Sequence, residues 1–217
     1  MKTLVKIIRR SEQGKTQPFV CVALDGAGQR VQCYLKGRST TRVGQINEWI
    51  AAHLALAFGL PAPPFALLDV PTELIEADFE QQDFANGLGA GPAFASQHVD
   101  SDDIAFSDLP RIPASLQRDV LVFDAWVRNM DRSLSEHGGN PNLRWCKQAH
   151  DFAPAQLLVI DHNLAFDAEF TADSFAACHA FAGQIPALKQ DFALQLHYRD
   201  RMAAALACCR SASRKFP

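Results

Sequence analysis

Nothing in this 217-residue chain is long and apolar enough to cross a bilayer, since a charge, a proline or a glycine cuts each hydrophobic run short of the roughly 20 residues a span needs. The opening Met1-Lys-Thr-Leu-Val-Lys-Ile-Ile-Arg-Arg10 is too short and too broken by charge to read as a secretory leader. Cys-x-x-Cys is missing as well. Most of Cys21, Cys33, Cys146, Cys178, Cys208 and Cys209 stand among apolar neighbours, so they are expected as small core residues of a reducing, cytoplasmic protein. Charge of one sign is scarce: 21 Lys and Arg against 24 Asp and Glu leave a net −3, which offers nothing to nucleic acid or to an acidic membrane. The chain has neither a Gly-x-Gly-x-x-Gly nor a Walker-type loop, and no His-x-x-x-His or Asp-x-His pair that would support a metal-dependent hydrolase.

What is present is an ordinary globular composition, 48% hydrophobic and 21% charged, in a chain long enough to bury a core in one domain or two small lobes. Short runs rich in Val, Leu, Ile, Phe and Cys at 3–8, 18–24 and 31–36 are separated by Gly14 and by Asp25-Gly26-Ala-Gly28, which predicts an antiparallel meander. Alternation in the third run puts Val31, Cys33 and Leu35 on one face and Gln32, Tyr34 and Lys36 on the other. A helix is expected over 45–58, ended by Gly59 and the prolines beyond it, and then a strand over 65–75 with a proline interruption. Residues 76–93 read as a polar, glycine-rich and mobile connection. Helix is expected again over 115–128, a loop over 131–142, strands over 143–146 and 157–160, and a helical remainder over 172–212 broken at Gly183 and Pro186. A β-rich first part followed by a helix-rich second part predicts an α+β protein of two lobes with a cleft between them.

The chemistry-bearing residues come in an order suited to phosphoryl transfer. Asp131-Arg132 supplies a carboxylate that orients a hydroxyl and takes its proton, with an arginine either to brace the loop or to neutralise phosphate. Asn140 and Asn142 follow, and Asn142, at the entrance to a strand, is preferred as an amide ligand of magnesium. Asp161 closes the apolar run Leu157-Leu-Val-Ile160, a placement that fixes the direction of a second magnesium ligand. Each of these is otherwise a capping or turn residue, and it is their order that gives them weight. Upstream, Glu48 lies on a helix apolar on nearly every side, so its carboxylate needs a cationic partner, for which Lys36, on the strand leading into the helix, is the candidate; the alternative is a surface glutamate favouring the helix dipole. The turn around Gly14, Lys15 and Thr16 is either a cover for triphosphate oxygens or an ordinary hairpin turn. Asn129 is expected to support the Asp131 loop, Asp124 is left as a helix-face residue, and His179 is expected as a satisfied core histidine.

This arrangement resembles the HipA-like kinases, relatives of the protein-kinase and phosphatidylinositol-kinase fold. The matching pieces are Tyr34-Leu-Lys36, Asn47-Glu48 with Leu60-Pro-Ala-Pro63, Gly91-Pro-Ala-Phe-Ala-Ser96, Phe123-Asp-Ala-Trp-Val-Arg-Asn-Met-Asp-Arg132, Asn140-Pro-Asn142 and Val159-Ile-Asp-His162. The resemblance implies a bilobal kinase-like fold: an antiparallel-sheet lobe with one buried helix over 1–98, and a mainly helical lobe over 99–217. It also implies a phosphotransferase dependent on ATP and Mg2+, acting on Ser or Thr of an unknown protein or of itself. The catalytic set is then Asp131, Arg132 and Asn129, and the metal set Asn142 and Asp161. The nucleotide set is Lys36, Glu48, Gly14, Lys15 and Thr16, with Phe94 and Ser96 near the hinge that takes adenine. The chain departs from the pattern in the insertion Ser133–Gly139, in the His-Asn that follows Asp161, and in being shorter than the toxin members of the family. A pseudokinase acting as a binding module, or transfer of AMP, or of phosphate to a lipid or small metabolite, are the competing functions.

Overall fold

The computed structural model describes residues 3–12, 16–76, 87–146 and 157–213, and the protein is an α+β fold. The chain divides into two compact units, one of residues 1–46 with 63–99 and one of residues 47–62 with 100–217. Among the described residues no helix is long and apolar enough to cross a membrane.

The first unit is a five-stranded antiparallel sheet of β1 (Thr3–Arg10), β2 (Phe19–Leu24), β3 (Arg30–Leu35), β4 (Phe65–Val70) and β5 (Gly91–Gln97), in the order β1-β2-β3-β5-β4. The β2–β3 turn forms because Asp25 Oδ1 accepts from the N–H groups of Ala27 and Gln29, and Gly28 takes a left-handed φ of 78°. Alternation, shifted by one residue at an irregularity between Leu4 and Lys6 in β1, directs Leu4, Ile7, Phe19, Cys33, Leu35 and Leu68 to one apolar core. The expected proline interruption is the end of the strand: β4 stops at Val70 because Pro71 has no N–H for the ladder, and helix α2 (Thr72–Glu76) follows in place of more strand, with Leu74 N–H donating to Pro71 O. The connection expected over 76–93 falls largely outside the described residues, but its end is already strand from Gly91.

Helix α1 (Arg42–Phe58) starts earlier than its apolar run, where Thr41 Oγ1 accepts from Gly44 N–H. It ends as predicted at Gly59, in the left-handed region at φ 91°, with Leu60 N–H donating to Ala55 O. Its expected burial on nearly every side is not realised. Ala51, Leu54, Ala55 and Phe58 are buried, whereas Val43, Ile46, Ile50 and Leu56 are exposed. A helix apolar all round carries no pattern to say which side packs.

The second unit packs the later turns of α1 with α3 (Ala114–Trp126) and α6 (Phe192–Ser213) around Phe58, whose ring lies 5.7 Å from that of Phe123 and 6.3 Å from that of Tyr198. Arg201 lies over Phe58 at 4.2 Å and donates both to Phe58 O and to Asp119, which also accepts from the Tyr198 hydroxyl. A three-stranded antiparallel sheet in the order β10-β9-β6 joins them: β6 (Ser101–Asp103), β9 (Leu143–Cys146) and β10 (Leu157–Val159). The stretch 131–142, expected as loop, contains a hairpin of β7 (Ser133–Ser135) and β8 (Gly138–Asn140). The helical remainder holds α4 (Ala172–Cys178), α5 (Ile185–Gln190) and α6. Pro186 stands in the first turn of α5, where its missing N–H costs nothing, so it begins a helix and does not break one. Of the cysteines, Cys21 and Cys33 are buried as expected, but Cys178 and Cys208 are exposed.

Candidate active site

In the second unit the site is built outward from one carboxylate. Asp124 shares the buried face of α3 with Val120, Leu121 and Val127, and it is fully enclosed. It accepts from Arg132 Nε at 2.5 Å on Oδ2 and Nη2 at 3.4 Å on Oδ1, from Asn129 Nδ2 at 2.9 Å, and from His179 Nε2 at 3.0 Å. Burial by itself would raise the carboxyl's pKa, but the Arg132 charge and the hydrogen bonds from His179 and Arg132 outweigh it and hold it well below the usual carboxylate range. His179 Nδ1 accepts from Phe181 N–H, so the ring proton sits on Nε2 and faces Asp124; it is the satisfied core histidine that the sequence led us to expect.

Arg132 is fully buried. Its remaining N–H groups go to Pro141 O at 3.0 Å and Asn142 O at 2.6 Å, and Nη2 lies 3.4 Å from His162 Nε2. Of the two readings of this arginine, its contacts realise the brace. Asn129, buried beside it, accepts Asp131 N–H on Oδ1 at 3.3 Å. Both are thus tied by hydrogen bonds to the segment around Asp131, which itself is half-buried. The Asp131 carboxylate accepts from Asn140 Nδ2 at 2.8 Å and from Asn142 Nδ2 at 3.4 Å, and its main-chain oxygen accepts from Asn142 Nδ2 at 2.9 Å.

The β9–β10 ladder brings the next pair together. Leu143 lies opposite Val159, and Ile160 N–H donates to Asn142 O at 3.0 Å, so Asn142 sits one residue from being opposite Asp161. Both take left-handed φ values, 47° and 58°, a conformation that Asn and Asp tolerate better than most residues. Its amide nitrogen is engaged by Asp131, so the ligand that Asn142 has to offer a cation is Oδ1. Two hard oxygen donors at one strand end suit Mg2+, which takes its other ligands from phosphate and water. Among the described residues no cluster of three or more His, Cys, Asp and Glu forms a cage of its own.

Asn47 and Glu48 of α1 hold the chain that follows Asp161. Glu48, 4% exposed and so not a surface glutamate, accepts from His162 N–H at 3.0 Å on Oε2, while its Oε1 lies 3.8 Å from His162 Nδ1. Asn47 Nδ2 donates to Ala165 O at 2.8 Å. Because Arg132 can only donate, His162 Nε2 accepts and its proton faces Glu48. Glu48, His162, Arg132, Asp124 and His179 thus form one buried polar chain beneath the Asp131 and Asp161 loops. Sequence reading missed Asp124 as its centre. The signal was there in a carboxylate placed three or four residues from Val120, Leu121 and Val127, on a stripe where a charge needs partners.

The first unit holds the rest of the predicted set. Lys36 follows β3, is buried, and donates its N–H to Phe94 O at 2.8 Å. The Phe94 ring is buried against Phe65 and its N–H is taken by Gln45 Oε1, so its main chain already serves the sheet. Ser96 is half-buried in β5, opposite Tyr34 and Phe65. Thr16 is tied to the turn after Lys36 by Ser39 Oγ, which donates to Thr16 O at 2.5 Å. Gly14 and Lys15 lie outside the described residues.

A protein-family model described as HipA-like kinase matches residues 4–217, nearly the whole chain. Among curated proteins there is no significant match.

Proposed function

The chain belongs to the HipA-like kinase family, and from that premise we propose that it transfers the γ-phosphate of ATP to a hydroxyl, that of a protein Ser or Thr. The observation that carries this reading is the single hydrogen-bonded set of Asp131, Asn140 and Asn142 beside Asp161. Asp131 orients the acceptor hydroxyl and receives its proton as the new O–P bond forms and the bond to the ADP oxygen breaks. Asn142 Oδ1 and the Asp161 carboxylate would hold Mg2+, which would supply positive charge to the phosphate oxygens. Lys36 takes the nucleotide phosphates, Gly14, Lys15 and Thr16 cover the triphosphate, and the Phe94–Ser96 stretch of β5 borders the adenine, while Glu48 steadies the segment after Asp161. Arg132 and Asn129 contribute by fixing where Asp131 points.

The reading is tested by titrating the protein with ATP and Mg2+ and by following radiolabelled γ-phosphate into the protein itself or a generic protein acceptor. Asp131→Ala is expected to keep nucleotide affinity and to lose about 10²–10⁴-fold in transfer rate. Wild-type protein that neither binds ATP nor releases ADP would end the proposal, and intact-mass analysis of products separates phosphate from AMP.

A further inference from the structure

Lys36 leaves the sheet at a point where the ladder changes partner. β3 and β5 pair in the register Cys33 with Gln97, Tyr34 with Ser96 and Leu35 with Ala95, so the next facing pair is Lys36 with Phe94. His98 N–H donates to Gln32 O, which makes 32 with 98 a hydrogen-bonded pair, and by alternation 34 with 96 and 36 with 94 are also of that kind. Such a pair exchanges two bonds. Lys36 N–H does donate to Phe94 O at 2.8 Å, but Phe94 N–H turns to Gln45 Oε1 at 3.0 Å and not to Lys36 O. Gln45 Nε2 then donates to Gly37 O at 3.2 Å. The carboxamide, one acceptor and one donor in a plane, therefore stands in for a peptide group of β3. It lets the chain peel away at Lys36 without leaving the Phe94 N–H unpaired in the core.

The departure is confined from the other side too. A Cβ added at Gly37 would lie 2.4 Å from Gly87 O and 2.7 Å from the Phe19 ring, so the residue after Lys36 packs too closely on its neighbours to carry a side chain. We propose that Gln45 is a positioning residue for the Lys36 ammonium, its carboxamide clamping the end of β3 to β5 so that the lysine leaves the sheet in one direction. This rests on the reading that Lys36 takes nucleotide phosphates. Nothing in the sequence marks Gln45, which has the look of one more polar residue in the first turn of a helix.

The test is a double-mutant cycle on Mg·ATP affinity by calorimetry, using wild type, Gln45→Met, Lys36→Ala and the double variant, with amide hydrogen exchange read at Phe94. Met keeps the length of the side chain and removes both polar atoms. Gln45→Met is expected to speed Phe94 exchange and to weaken Mg·ATP binding on the order of tenfold in the wild-type background. In the Lys36→Ala background it should change affinity by less than about twofold, because the clamp acts through the lysine. Equal weakening in both backgrounds assigns Gln45 to general sheet stability and overturns the proposal, as does wild-type affinity in Gln45→Met. A Lys36→Ala protein that binds Mg·ATP like wild type sinks the phosphate role of Lys36 itself, which that single arm reports separately. Gln45→Glu, which keeps an acceptor for Phe94 N–H, is the milder variant should Met prevent folding. It is expected to bind at intermediate strength, and wild-type affinity there overturns the clamp.

Discussion

Asp124 and Arg132 face each other with no solvent between them and with every polar atom of the pair engaged by the protein. Breaking such a pair leaves a buried charge without its counter-charge, which costs about 3–5 kcal/mol. Arg132→Met is therefore expected to destabilise the fold by that order, measured as a fall in urea midpoint, and to disturb Asp131 through the lost bonds to Pro141 O and Asn142 O. The pair also sets an acid dependence. Asp124 is held below the ordinary carboxylate range, so its contribution is fully present above the unfolded value of about 4 and is lost as pH falls below it. The stability gap between wild type and Asp124→Asn should be large at pH 7 and narrow as the pH drops below about 4. A gap that stays constant across that range would mean that Asp124 is not the group responsible.

At the scale of elements, the β7–β8 hairpin is the insertion that separates Asp131 from its asparagines, and it does not loosen their contact. Ser133 pairs with Asn140 across the hairpin, which returns the Asn140 amide to 2.8 Å from the Asp131 carboxylate. The hairpin is anchored through a bridge from Ser133 to His179 and through Ala180 N–H on Arg132 O. Gly139 has no room for a side chain: a Cβ there would lie 2.4 Å from Ser133 O. Gly139→Ala is expected to spread the hairpin and draw Asn140 off Asp131, lowering turnover at least tenfold while changing the melting temperature by only a few degrees. Steady-state kinetics beside a thermal melt would check this. Helix α1 has the complementary role, with Gln45 serving the strand that carries Lys36, and Asn47 and Glu48 serving the segment after Asp161.

For the whole molecule, the family match over residues 4–217 makes nucleotide binding the property to test in the intact chain. A ligand that binds only the native state stabilises by about 2.7 kcal/mol at a hundredfold excess over its Kd. ATP with Mg2+ is accordingly expected to raise the melting temperature by several degrees, and Asp161→Asn to remove most of the magnesium-dependent part. Asn is the substitution of choice because it keeps a residue type suited to the left-handed φ at position 161. An equal shift in wild type and Asp161→Asn would argue against a metal at that carboxylate.

The sequence by itself determined much of the strand and helix order and the end of α1 at Gly59, and it singled out Asp131, Asn142 and Asp161 as candidates by their chemical type. These follow from local rules: period-two alternation, the freedom of glycine in a left-handed cap, and the donor chemistry of carboxylates and amides. Only the tertiary structure decided which side of α1 packs, that Asp124 is the centre of a buried charge network, and that Gln45 completes a strand ladder. Those outcomes rest on hydrogen bonds such as His162 N–H to Glu48, between residues 114 positions apart. Bonds of that kind are chosen by how elements meet in space: spacing along the chain can show that a carboxylate such as Asp124 needs partners, but not which partners it takes.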